Sequence, residues 1–540
     1  MQVSAPAHTG TPQNYQQDYQ EKAPARETPF TPRAASSNAL RRARALLARI
    51  LRFRFEMLLV LALGGFVLGS GMRAAPLVDW DEATYAEVAH EAIANHHYVD
   101  FTWNGKGYVK KPPLLFWAMV GSFDVFGESE FAARLPSVVA GLGTLLLIYF
   151  SAAGAAGRLA GLLAALAPLQ FYFFVARGGR ECATDAPLLF FMTLALYAML
   201  HARKDRRFCA LAGAASGMAI LSKGLAGTIP LIVAPLAVLV LPGFEAIGMA
   251  GLAIVFGCAA AVAAPWYLYE ALYNPLFWSS FVHHETLARV VRHLEDETHS
   301  GWYTLSGFLS EIKFLWPLTL PALALAAAAL KRRSMAGALA GAADLWRSLT
   351  PAAGLWILWL LVALGAACAV QTKLPWYVLP ACVPTALLAG ALAAHALEYR
   401  GPQRPVVTGL GALALALMLA HAPVQWRWIV KAHHLERLRS TPSYAMGLKA
   451  TRIAALHGGG RLYFAGIELP TLVYYAATPV AFLKPTGGLE RITDPGTDEP
   501  PRLEADDLAL IDPQGELVSI ANLDREWEIV GPPRSSSGSR

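Results

Sequence analysis

Phe55-Glu-Met-Leu-Leu-Val-Leu-Ala-Leu-Gly-Gly-Phe-Val-Leu-Gly-Ser-Gly-Met72 is an apolar run long enough to enter a bilayer. After Arg73 to Val78 the chain continues as Asp79-Trp-Asp-Glu-Ala-Thr-Tyr-Ala-Glu-Val-Ala-His-Glu91. An apolar span followed at once by an acidic helical pattern sets carboxylates against a membrane surface. The other flank says which surface: Arg41, Arg42, Arg44, Arg49, Arg52 and Arg54 precede the run, and basic residues are retained on the cytoplasmic side. The acidic helix therefore belongs on the opposite face. Residues 1–40 are rich in Gln, Pro, Thr, Ser and Ala with no apolar period and are expected to form a disordered cytoplasmic tail. A cleavable signal peptide is not expected, because the charged-then-apolar pattern starts only at Arg41 and no A-x-A site follows.

Working outward, further apolar runs occupy 132–152, 157–176, 185–201, 207–221, 225–242, 247–269, 304–330, 352–370, 375–397 and 405–423. With about 20 residues needed to cross about 30 Å of hydrocarbon, these predict a mainly α, polytopic transmembrane bundle over residues 41–425. Eleven runs are counted, within a range of about 11–13 spans. The composition agrees: of 540 residues 55% are hydrophobic and only 16% charged, against roughly a quarter charged in soluble proteins. A wholly disordered chain and an ordinary soluble domain are both excluded. The net charge of +6 is mild, and basic cytoplasmic loops explain it without nucleic acid. Cys182, Cys209, Cys258, Cys368 and Cys382 show no CxxC and no paired spacing, so neither a disulfide framework nor a zinc site is expected.

Alternation of the spans sends two long loops, 73–131 and 270–303, to the face opposite the cytoplasm, with the C-terminus. The first is too long for a connector and is expected to be built from surface helices. Residues 426–540 are expected to form a small α/β domain outside the membrane on that face, with a disordered end. Within it, Arg461 to Ala465, Pro470 to Ala477 and Pro479 to Leu483 read as strand, helix, strand. From 461 onward thirteen acidic residues face seven basic ones.

The candidate chemistry gathers on that face. Asp79 and Glu82 resemble a capping box, while Asp81 shares a helix face with Thr84 and Tyr85, so carboxylate and phenol can point into one cavity. Lys110 and Lys111 precede Pro112-Pro113, which fixes the chain as extended and holds the pair at a rigid entry point. Cations opposite an acidic helix are what a reaction on an anionic lipid phosphate needs. Ionisable residues in or beside spans are further candidates: Arg177 and Arg180, Lys223, and Lys373, the sole Asp, Glu, Lys or Arg between Arg347 and Glu398. Arg134 and Asp185 read instead as structural ion-pair partners. His283, His284, His293 and His299 fit no metal-ligand spacing. No phosphate-binding P-loop, G-x-S-x-G or dinucleotide fingerprint occurs in a suitable context, which argues against ATP-driven transport, serine hydrolysis and dinucleotide chemistry.

Seven motifs occur in order: Asp81-Glu-Ala-Thr-Tyr-Ala-Glu87, Asn104-Gly with Lys111-Pro-Pro-Leu-Leu-Phe-Trp117, Phe126 to Ser137, Thr184-Asp-Ala-Pro187, Leu221-Ser-Lys-Gly224, Asn274-Pro-Leu-Phe-Trp278 and Thr372-Lys-Leu-Pro-Trp-Tyr-Val-Leu-Pro380. Together they resemble the aminoarabinose (lipid A) transferase branch of the integral-membrane GT-C glycosyltransferases, related to protein O-mannosyltransferases. The resemblance runs through residues 55–400. It implies a GT-C fold and transfer of a sugar from an undecaprenyl-phosphate carrier to an acceptor such as lipid A, in a multi-pass protein of the bacterial inner membrane whose active site faces the periplasm. By motif it implies a catalytic role for Asp81, with Glu82 beside it. Tyr85, Lys110, Lys111, Lys373, Arg180 and Lys223 are then expected to bind carrier phosphate or substrate. No metal ligands and no cofactor are assigned, and a divalent metal is left open. The chain departs from the branch at Thr84, where Arg is usual, and at Lys110, where Glu is usual. The alternatives are a protein O-mannosyltransferase-like enzyme, with protein or another envelope glycan as acceptor, and a lipid or sugar transporter or flippase.

Overall fold

The computed structural model describes residues 54–73, 76–293, 301–318 and 350–398, with parts of 405–427 and 462–529. The expected tail 1–40 lies outside the described residues. The chain divides into two units, Met1–Phe55 and Glu56–Arg540, and the contacts described below lie within the second.

The helices follow the apolar runs. They are α1 (Arg54–Gly69), α2 (Asp81–Ala94), α3 (Leu114–Phe126), α4 (Glu130–Ala156), α5 (Arg158–Leu166), α6 (Tyr172–Val175), α7 (Asp185–Ala202), α8 (Arg207–Lys223), α9 (Ile229–Val240), α10 (Gly248–Tyr273), α11 (Gly301–Ile312), α12 (Pro351–Ala369) and α13 (Leu379–Glu398). Helix α7 packs along α4 and α8, α8 along α10, and α13 along α5 and α12. Small residues allow the close crossings: a Cβ at Gly141 in α4 would lie 2.9 Å from the Gly178 carbonyl oxygen.

Among the described residues six helical stretches are long and apolar enough to cross a membrane, or seven if one bent pair is a single span. The other apolar runs are short, as α1 is, or lie partly outside the described residues, as 304–330 and 405–423 do. Two runs differ from their expected form. The run 157–176 is not one rod. It breaks after Gln170, and Arg158–Gln170 and Tyr172–Arg180 meet at 89°. Ala176–Arg180 forms a π turn at the end of the second arm. The runs 207–221 and 225–242 are joined by a 3₁₀ turn, Gly224–Thr228, that doubles back onto α8. A Cβ at Gly227 would collide with the Ala219 backbone, and Gly224 has φ +48, so this reversal depends on glycine.

Loop 76–131 contains α2, a two-stranded hairpin of β1 (Thr102–Trp103) and β2 (Lys106–Gly107), and α3. They enclose an apolar cluster centred on Tyr85, Phe116 and Met119. Further on, β3 (Leu462–Ala465) pairs in parallel with β4 (Val480–Pro485), with α14 (Pro470–Ala476) between them. Strands β5 (Ile492–Thr493), β6 (Ala509–Ile511) and β7 (Leu517–Val518) complete a five-stranded sheet in the order β5-β4-β3-β6-β7.

Candidate active site

Asp81 opens α2, and its carboxylate projects into a cavity of about 440 Å³. Tyr85, one turn later, donates its hydroxyl to Asp81 Oδ1 at 3.0 Å, as the i, i+4 spacing requires. Arg177, from the π turn, pairs with Asp81 and also approaches Asp185 Oδ2 at 3.3 Å. Lys223, at the C-terminus of α8, meets Asp185 Oδ1 at 2.5 Å. On the facing wall Lys111 reaches Glu285 Oε2 at 3.0 Å, and Arg289 Nε lies 3.2 Å from the same oxygen. The placement suits the helix dipoles: Asp81 and Asp185 start helices, and Lys223 ends one.

Two aromatic rings cover this network. The Arg177 guanidinium lies 4.1 Å from the centre of the Trp376 ring, and the Lys223 ammonium 5.8 Å from that of Tyr377. The inner end of the cavity therefore holds Lys111, Arg177, Lys223 and Arg289 against Asp81, Asp185 and Glu285, an excess of one positive charge, with Lys110 at an exposed part of the lining. The other end is apolar, lined by Leu188, Ile229, Ala363 and Val370, and reaches the exposed side chains of Leu225 and Ile232. One end suits an anionic head and the other a hydrocarbon chain.

Burial would raise the Asp81 carboxyl, but the Arg177, Lys111 and Lys223 charges outweigh it and hold it well below the usual carboxylate range. Glu285 is likewise lowered, because Lys111 and Arg289 overcome its burial. Burial in the apolar cluster, reinforced by the Asp81 charge, pushes the Tyr85 phenol up, so it stays a hydrogen-bond donor.

Of the residues expected from sequence, Asp81, Tyr85, Lys110, Lys111 and Lys223 line this cavity. Three others point elsewhere. Glu82 turns away and accepts from Arg134 Nε at 2.7 Å and Nη2 at 2.6 Å, with the Val78 and Cys182 amides completing its shell. Arg180 donates to the Val67 and Ser70 carbonyls and caps the end of α1. The Lys373 ammonium donates to the Cys368 and Val370 carbonyls, capping the last turn of α12. Nor do Asp79 and Glu82 form the expected capping box. Trp80 is the N-cap residue of α2, and Asp79 accepts instead from the Thr471 amide of α14 at 2.9 Å.

The lining also contains residues that were not carried into the expected site. Asp185 was expected to be a structural partner, yet it bridges two cavity cations. Arg177 fills the place expected of Arg180. Glu285 and Arg289 come from a π-helical segment, Phe277–Ala288, and the turn after it. Among the described residues no three His, Cys, Asp or Glu side chains converge as metal ligands, and each cavity carboxylate is already engaged by Arg or Lys.

The bundle, the surface helices of the first long loop and the cavity beneath them define the class: this is a multi-pass membrane protein with the fold of the integral-membrane GT-C glycosyltransferases. Its structure superposes on that of ArnT from Cupriavidus metallidurans bound to undecaprenyl phosphate with a TM-score of 0.62, covering 79% of this chain and 85% of that one at 21% identity. Within the class, the chain is 28% identical over 366 residues to the undecaprenyl phosphate-alpha-4-amino-4-deoxy-L-arabinose arabinosyl transferase of Pseudomonas savastanoi pv. phaseolicola, covering 64% of each. It is 30% identical over 334 residues to the enzyme of the same name from Pseudomonas aeruginosa (strain LESB58), covering 59% of this chain and 55% of that one. The matched region thus spans less than two thirds of those relatives. Residues 110–273 match the family model described as dolichyl-phosphate-mannose-protein mannosyltransferase.

Proposed function

We propose that the chain is a glycosyltransferase that moves a sugar from an undecaprenyl-phosphate carrier to a lipid A-like glycolipid or another envelope acceptor, at the periplasmic face of the bacterial inner membrane. The observation that carries this reading is the pairing, in one cavity, of an ionised Asp81 with Lys111, Arg177, Lys223 and Arg289 at one end and an apolar opening at the other. The similarity to arabinosyl transferases and the shared fold support it.

In the proposed step an acceptor oxygen attacks the anomeric carbon, the bond from that carbon to the phosphate oxygen breaks, and its electron pair leaves with polyprenyl phosphate. A sugar phosphodiester carries one negative charge and the departing monoester gains a second. Cations around the phosphate therefore hold the transition state more tightly than the ground state. The cations around Asp81 keep it an ionised carboxylate. An acceptor phosphate is already ionised and needs no base, so Asp81 orients the nucleophile or offsets positive charge developing on the sugar. The reading assigns no cofactor.

The test is transfer in detergent or nanodiscs, with a polyprenyl-phosphate sugar as donor and purified lipid A, or a serine-containing peptide, as acceptor. Mass spectrometry should find the sugar on lipid A and an equal amount of free polyprenyl phosphate. Sugar on the peptide alone would favour the O-mannosyltransferase-like alternative. Movement of intact donor across the bilayer without cleavage would overturn the reading in favour of a flippase.

A further inference from the structure

Helix α2 begins at a strained corner. Trp80, its N-cap residue, has φ +73, a conformation that non-glycine residues rarely adopt and that persists only when its surroundings enforce it. The residues that enforce it are held from two sides. From the bundle, Arg134 donates to the Met72 and Pro76 carbonyls at 3.0 and 2.9 Å, and it pairs with Glu82, which in turn accepts the Val78 amide at 2.8 Å. From the C-terminal part of the chain, the Tyr475 hydroxyl accepts the Leu77 amide at 2.9 Å and donates to Glu130 at 2.8 Å, while Asp79 accepts the Thr471 amide.

Leu77 and Asp79 lie four and two residues before Asp81, and every one of these C-terminal contacts falls on helix α14. That helix is itself seated firmly. Thr471, Leu472, Val473 and Ala476 are buried, and Tyr474 and Tyr475 pack against the apolar cluster that contains Tyr85. The strand after it is fastened to the same loop, since Asn104 donates to the Val480 carbonyl at 2.6 Å and accepts its amide at 2.9 Å.

We infer that α14 is a positioning element for the active site: Tyr475 and the Thr471 amide fix the 77–80 turn and so set the angle at which Asp81 enters the cavity. Tyr475 does not itself line the cavity and is a positioning residue. Asp81 differs from the cations in this respect, because it follows directly on the turn that α14 bonds, whereas Lys111, Lys223 and Arg289 lie on other segments. Loss of the Tyr475 contacts should therefore slow the chemical step while carrier binding is kept. The inference rests on the proposed transferase reading for its kinetic arm only.

The experiment uses the full chain with Tyr475→Phe, Asp79→Ala and Asp79→Asn. Hydrogen exchange is measured first, since it needs no activity. Amides 77–82 should exchange at least tenfold faster in Tyr475→Phe and Asp79→Ala, while those of α7 and α8 stay unchanged. Unaltered exchange at 77–82 would overturn the inference, whatever the protein's function. In the transfer assay, kcat should fall at least tenfold in both variants with the donor KM within twofold, and Asp79→Asn, which keeps an acceptor oxygen for Thr471, should recover most of the rate. A matching rise in KM, or no rescue by Asn, would show a general structural defect instead. A wild-type protein that fails to transfer sugar would count against the transferase reading and leave the exchange result standing.

Discussion

Asp81 is a carboxylate that its neighbours never allow to become neutral in ordinary buffers. With the Asp81 carboxyl held low by the three surrounding cations, its pairing with Arg177 is present above the ordinary carboxylate range and is lost only as pH falls through that depressed value. Asp81→Asn should cut transfer by about 10²–10³-fold, as loss of one preorganised charge typically does. Carrier affinity should stay within about threefold, checked by equilibrium binding of undecaprenyl phosphate. Lys111→Ala should do the reverse, weakening carrier binding by about 10–100-fold for one charge-assisted contact. Glu87 behaves oppositely to Asp81. Burial pushes it up to about 7, with Glu91 and Glu128 adding to the shift. The folded state thus binds a proton that the unfolded chain releases near the ordinary Glu value, and stability should fall as pH rises from about 4.5 through 7. Glu87→Gln should flatten that slope and stabilise the protein at pH 8 by about 1–3 kcal/mol, measured by thermal unfolding. Asp81 and Tyr85 were legible in the sequence because a helix face fixes both. Arg177 and Arg180 were not separable, because a π turn rotates the chain by an amount no apolar period encodes.

At the scale of elements, the site is made where regular helices stop. Arg177 sits in a π turn, Lys223 before a glycine reversal, Glu285 in a π-helical segment and Trp376 in the 3₁₀ turn Pro375–Val378. Such breaks free side chains from the 3.6-residue period and aim them at one point. Lys373 shows the same geometry from the other side. Its lone position in an apolar stretch made it a candidate and its motif implied binding of carrier phosphate or substrate, yet the free carbonyls at the end of α12 claim it. It then locks a turn whose neighbours bond to the Arg289 segment, through Thr372 N to the Arg289 carbonyl at 3.0 Å and Gln371 N to the Val290 carbonyl at 3.1 Å. Lys373→Ala should lower stability by about 1–3 kcal/mol, read from thermal unfolding, and move carrier affinity less than Lys111→Ala does. Gly141→Ala should push against Gly178 and Gly179 and displace the turn that carries Arg177. Its expected signature is lost transfer with α4 still helical by circular dichroism.

For the whole molecule, hydropathy gave the bundle and charge bias gave its expected orientation, since both depend on composition averaged over many residues. The apolar runs at 132–152, 185–201, 247–269 and 352–370 coincide with α4, α7, α10 and α12 to within a few residues. The βαβ unit at 462–485 was also legible, from two short apolar runs around a proline-led helix. Its contact with the 77–80 turn was not, because hydrogen bonds between residues nearly 400 positions apart leave no local pattern. The central claim is that one anionic head is gripped beside Asp81, within the cavity framed by Lys111, Arg177, Lys223 and Arg289. Electron cryomicroscopy of the full chain in nanodiscs with undecaprenyl phosphate tests it most directly. The phosphate should lie within hydrogen-bonding reach of at least two of those cations, with its lipid tail passing Ile229 and Ile232. Density for the phosphate outside that cavity, with Asp81 facing empty solvent, would contradict it.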